Sequence, residues 1–176
     1  MVNSTNIDGG NAGPNSTTVS TEQAVMAPAT AQANSAIGFS KTTLVGATPQ
    51  WVHVAPALSY SFFAVGTTTF SAQLMLLPPS GIIHGVKIQH SASFTGGAIS
   101  AYTISVGDVN TVDLYASAFN VHQAYGPTVY QLSSNFAGES LASATQLYVT
   151  ATSTSANLNA ATSGVVDIFA LLSVAS

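Results

Sequence analysis

The chain has 176 residues, a formal net charge of -4 at pH 7 and charged side chains at only 5% of positions, against roughly 25% in an ordinary soluble domain. Two lysines and no arginine cannot neutralise a run of phosphates or build a polybasic patch, which argues against nucleic-acid and membrane-surface binding. With no cysteine there is no disulfide framework, no thiolate nucleophile and no cysteine-based zinc or iron–sulfur site.

Residues 1–43 are rich in Asn, Ser, Thr, Gly and Ala, carry no aromatic before Phe39 and keep no sustained period. Such a stretch cannot bury enough apolar area to offset its ordering entropy. By composition it reads either as a floppy tail or as an extended N-terminal arm ordered by whatever neighbouring subunit or partner it lies on. Its opening, MVNSTNIDGGNAGPNS, has neither the basic nor the apolar region of a signal peptide, so synthesis in the cytoplasm is expected.

Residues 44–176 read as one β domain. Short segments alternate apolar and polar residues and are rich in Val, Ile, Thr, Tyr and Phe. Strands are expected over Trp51–Ala55, Tyr60–Val65 and Thr68–Leu77, and the cluster Pro78-Pro79-Ser80-Gly81 then stops the chain. Ile82–His90 resumes with Ile82, His84, Val86, Ile88 and His90 on one face. After the Gly96-Gly97 turn, Tyr102, Ile104 and Val106 mark the next inward face, ended by Gly107-Asp108. Thr111–His122 is the one helical expectation, with Leu114, Ala118 and Val121 near i, i+4 and i+7. Thr128–Leu132 follows as a strand, and Gln146–Ala151 with Gly164–Val174 reads as a C-terminal hairpin. In the last strand Val165, Asp167, Phe169 and Leu171 share one face while Val166, Ile168, Ala170, Leu172 and Val174 share the other. Both faces are largely apolar, so this strand should be central or interfacial.

Seven or eight short strands with regular turn signals predict an all-β fold, an antiparallel, jelly-roll-like β-sandwich with one short helix. No apolar run approaches the roughly 20 residues of a spanning helix, and no dinucleotide or nucleotide-phosphate motif is present. Lone β proteins usually blunt their edge strands with charge, especially lysine. This one hardly can, and packing in an oligomer is the simplest protection.

Chemistry-bearing residues are sparse. His84 and His90 lie six residues apart, about 20 Å along a strand, too far to share a metal within it, and the bland role of His53, His84, His90 and His122 is a hydrogen-bonded or solvated imidazole. Asp108 reads as a turn residue and Asp113 as the first turn of the helix. No nucleophile-elbow pattern or prepared carboxylate pair stands out. We therefore expect no enzymatic activity, no cofactor and no metal. Trp51, Tyr115, Phe119, Tyr125 and Tyr130 are the candidate interface residues, since aromatics of this kind pack at subunit contacts more often than they form a carbohydrate platform.

Residues 74–121, LMLLPPSGIIHGVKIQHSASFTGGAISAYTISVGDVNTVDLYASAFNV, carry an apolar strand ending in Leu77-Pro78 and the strand Ile83–Ile88. The turn at Phe94 and Gly96 and the strand end Ser105-Val106-Gly107-Asp108 follow. With the closing strand from Gly164, these elements resemble small β-sandwich structural proteins of tailed-bacteriophage virions, over about two-thirds of the chain. The resemblance implies a virion role without catalytic residues. A basic inner lining is at odds with two lysines, and the main shell-forming subunit is a larger, mixed α/β chain. What remains is a capsid decoration (cement) protein, a homotrimer on the outer surface of the head that binds the major capsid protein or another virion subunit. The alternative is a tail or head fibre or spike module binding host-surface glycan.

Overall fold

The computed structural model describes residues 48–127, 130–133 and 140–175, so the expected arm lies outside the described residues. The strands are β1 (Gln50–Ser59), β2 (Thr69–Leu77), β3 (Gly81–Thr95), β4 (Ala101–Gly107), β5 (Ala116–Asn120), β6 (Tyr130–Ser133), β7 (Thr145–Thr154) and β8 (Ser163–Val174). They form two four-stranded antiparallel sheets, ordered β1-β8-β3-β6 and β2-β7-β4-β5. The β4–β5 pair is innermost in the chain, and β3–β6, β2–β7 and β1–β8 wrap around it in turn. That winding is a jelly roll, and the all-β sandwich expected from the sequence is the observed fold.

Alternation along the central strands places the core. On β8, Val166, Ile168, Ala170 and Leu172 are buried, and on β7 so are Leu147, Val149 and Ala151. These side chains meet across the two sheets with Ile104 and Val106 of β4. An aromatic cluster adds to this core: the Phe94 ring lies 4.7 Å from Tyr102 and 6.0 Å from Phe63, centroid to centroid.

Four expectations are corrected. Residues Tyr60–Phe63 form a 3₁₀ turn in place of a strand. Phe62 and Phe63 are adjacent and both pack toward the core, which the alternation of a strand forbids. In β3, Ile83 pairs with Leu172 and Gly85 with Leu171, so His84 is the extra residue of a β-bulge. The bulge shifts the inward set to Ile83, Val86, Ile88 and His90, so His84 and His90 do not share a face.

The helix expected over Thr111–His122 is instead a turn followed by β5. The Asp108 carboxylate accepts the backbone N–H groups of Asn110 (2.8 Å) and Thr111 (2.7 Å) and closes a turn, after which the Tyr115 N–H donates to the Val106 carbonyl (2.9 Å) and the chain pairs with β4 in place of coiling into a helix. The C-terminal pair is not a hairpin, because β7 and β8 belong to different sheets. Buried Leu158 and a short 3₁₀ turn carry the chain between them.

Candidate functional site

The outward sides of the two sheets differ in chemistry. On the sheet holding β2, β7, β4 and β5 the outward side is a hydroxyl surface. Ser71 of β2 bonds Thr150 of β7 through their side chains (2.8 Å), and the Gln73 amide donates to the Tyr148 hydroxyl (3.0 Å). The Ser105 hydroxyl donates to the Val112 carbonyl (3.0 Å).

The outward side of the β1-β8-β3-β6 sheet is aromatic and aliphatic. Register sets its rows: Trp51, Leu171 and Gly85 form one, His53, Phe169, Lys87 and Leu132 the next, and Asp167, Gln89 and Tyr130 a third. The His53 ring stacks on Phe169 at 4.1 Å with an interplanar angle of 12°. Lys87 Nζ lies 4.8 Å from the Tyr130 ring centroid and 5.3 Å from that of Phe169, a cation held between two π faces. Trp51 and Leu132 remain 49% and 60% exposed, so a broad apolar surface ends in open solvent.

Backbone geometry fixes this surface. β1 is an edge strand and tolerates Pro56 in a bulge, where Ala57 takes a left-handed φ of 49°. The Ala57 N–H freed by the bulge donates to Asp167 Oδ1 (3.0 Å), and His53 Nε2 donates to the same oxygen (2.9 Å). One carboxylate thus pins the bulge and orients the ring stacked on Phe169.

The expected interface residues separate. Trp51 and Tyr130 stand on this surface, and Tyr125 is exposed with its ring edge-on to His90, 6.4 Å between centroids. Tyr115 and Phe119 are buried, 2% and 8% exposed: Phe119 lies on the inward side of β5, and Tyr115 lies just before that strand. Burial, and then the nearby Asp108 carboxylate, push the Tyr115 phenol above its usual range. His53, Lys87, Leu132, Asp167 and Phe169 complete this face, and none of them is among the expected interface residues. The signal for two of them was present, since Asp167 and Phe169 belong to the second apolar face of the last strand.

The histidines are all hydrogen-bonded. Beyond His53, His84 Nε2 meets the Ser173 hydroxyl (2.8 Å), buried His90 uses Nε2 on the Gln123 carbonyl (3.1 Å), and His122 Nδ1 donates to the Phe94 carbonyl (2.7 Å). Among the described residues no three His, Asp or Glu side chains come together as a metal site.

No protein-family model and no curated protein matches the chain. Among solved structures, the fold is similar to that of a chain in the cyanophage Pam1 capsid asymmetric unit. The match has a TM-score of 0.52 at 18% identity, covering 78% of this chain and 97% of that one. A chain of the acid-stable capsid of Helicobacter pylori bacteriophage KHP30 aligns with a TM-score of 0.35 at 17% identity, over 70% of this chain and 93% of that one. The likeness to the Pam1 chain is one of fold. It spans that chain almost from end to end, so the jelly roll is shared as a whole and not as a fragment.

Proposed function

We propose that the chain is a non-enzymatic structural protein of a bacteriophage virion, and within it a decoration (cement) protein on the outer surface of the head. The observation that carries this reading is the end-to-end likeness of its jelly roll to a chain of the cyanophage Pam1 capsid. Two features support it. The chain has too few basic residues to lie against packaged DNA. One outward sheet face presents Trp51, Phe169, Tyr130 and Leu132 around a single ammonium group, the composition of a protein contact.

In this reading the chain is a homotrimer, and residues 1–43 form an arm lying across neighbouring shell subunits. Binding then stabilises the assembled head by mass action, because contacts exist only in the assembled state. The arm and the sandwich are separable by deletion. Among the described residues every core side chain lies between Val52 and Leu172, so a chain lacking residues 1–40 keeps its core. It is expected to melt cooperatively and to lose co-sedimentation with heads that lack the protein. Retained co-sedimentation overturns the role of the arm, and failure of the full chain to bind such heads overturns the decoration reading.

A further inference from the structure

A second exposed apolar patch lies on the other sheet. The loop between β4 and β5 folds back over the outward side of β4. Its Val112 carbonyl takes the Ser105 hydroxyl, and its Thr111 carbonyl takes the Asp108 N–H at 3.0 Å. Gly107 allows that approach, because a Cβ there would sit 2.0 Å from the Thr111 oxygen. The loop so held presents Val109 (71% exposed) and Val112 (44%). Leu76 of β2, paired with Gln146, is 61% exposed on the same side. Beside Val109 opens a cleft of about 290 Å³ lined also by Asp108, Gln146 and Tyr148 among others. Asp113 stands exposed beside Val112, and no described cation pairs with it.

The two patches are alike in being apolar and differ in charge: the first holds Lys87 together with Asp167, whose carboxylate is taken by His53 and the Ala57 N–H, while the second holds carboxylates alone. The first centres on Lys87, which no described carboxylate pairs, and the second carries Asp108 and Asp113. Pairing the second patch with its own copy sets carboxylate against carboxylate, whereas pairing it with the first brings it the Lys87 ammonium that no described carboxylate holds. Like charges across an interface are costly, while opposite charges fix register.

We propose that copies of this chain associate head to tail. The Trp51–Phe169–Lys87–Tyr130 face of one copy docks on the β4–β5 loop of the next, with Lys87 of the first copy facing Asp113 of the second. The proposal rests on the oligomer in the reading above and names its contact. Because the two patches are different surfaces, the contact is heterologous and closes as a ring where the rotation allows.

The test is light scattering of the full chain over a dilution series, with circular dichroism to verify folding. Lys87→Glu and Asp113→Lys are each expected to weaken association by about tenfold or more, and the two together to restore it to within about threefold. Val109→Ser with Val112→Ser, which carries no charge change, is expected to dissociate the oligomer and serves where a reversal misfolds. An oligomer indifferent to these substitutions overturns the contact and leaves the oligomer standing. Two disruptive reversals without mutual rescue overturn the Lys87–Asp113 pairing. A wild-type chain that stays monomeric overturns the contact itself, while head binding is read separately by co-sedimentation.

Discussion

Tyr102 is fully buried between the sheets, and its hydroxyl has no hydrogen-bond partner among the described residues. A buried, unpartnered hydroxyl loses its hydration without compensation. Tyr102→Phe keeps the ring that packs on Phe94 and removes the unpaired group, so it is expected to stabilise the fold by about 1 kcal/mol. The same burial pushes the Tyr102 phenol well above its ordinary value, which adds a dependence on pH. Below about pH 10 the group is neutral in both folded and unfolded chains and contributes no slope. As the pH rises further the unfolded chain ionises first, and stability falls. Urea melts at pH 7 and pH 10.5 should show a shallower alkaline loss for Tyr102→Phe than for the native chain. Equal slopes would place the ring in a wetter site. The inward position of Tyr102 follows from the alternation with Ile104 and Val106, and was legible from residue type. The roles of Tyr115 and Phe119 were not. Whether an aromatic faces the core or a neighbour is decided by which strand it joins, and β5 carries no clear period of its own.

At the scale of elements, the strands with unbroken alternation are the ones the sequence announces. β8 alternates from Ser163 through Leu172, and its two apolar faces required the central place it holds between β1 and β3. Irregular strands were misread for a common reason. In β5, Ala116 and Phe119 point inward three residues apart, because the register shifts between its pairs with Val106 and Ile104. The helix expected over Thr111–His122 rests on the spacing of Leu114, Ala118 and Val121, but Ala118 is exposed and the inward residues are Tyr115, Ala116, Phe119 and Val121. The bulge at His84 likewise changes which residues of β3 face inward. Sheet membership is harder still, since nothing local distinguishes a hairpin from a crossing between sheets, and β7 and β8 were read as the former. The start of β8 is fixed by contact with β3: Gly164 has a φ of 136°, and a Cβ there would lie 2.4 Å from the Phe94 ring. Gly164→Ala combines a strained backbone with overpacking of a buried ring, each costing on the order of 1–3 kcal/mol. A loss of about 3 kcal/mol, seen as a fall of roughly 10 °C in the melting midpoint, is expected. A change below about 1 kcal/mol would mean that β8 enters the sheet without leaning on Phe94.

For the whole molecule, the lack of charge and the chemistry of the two faces are one problem. Charged gatekeepers normally keep β edges and exposed faces from pairing indiscriminately. Here the hydroxyls of the β2-β7-β4-β5 sheet bond to one another and to the β4–β5 loop, which keeps that side hydrophilic outside the patch of Leu76, Val109 and Val112. The β1-β8-β3-β6 side has no such cover, and its exposed Trp51, Tyr130 and Leu132 lie beside half-buried Phe169 and Leu171. The low charge indicated that some surface must be shielded, but only strand order assembles residues from β1, β3, β6 and β8 into one face. If that face is covered by another copy, association and folding are linked, and the folded state gains stability with protein concentration. For a trimer, a hundredfold dilution removes about 2 kcal/mol per chain, which for a domain of this size lowers the melting midpoint by roughly 5 °C. Replacing Trp51 and Leu132 with serine removes contact area without touching the core. It should therefore abolish the concentration dependence while leaving the dilute-solution midpoint nearly unchanged. Scanning calorimetry across that range distinguishes the cases: a midpoint independent of concentration in the native chain would show that the aromatic face stays open to solvent.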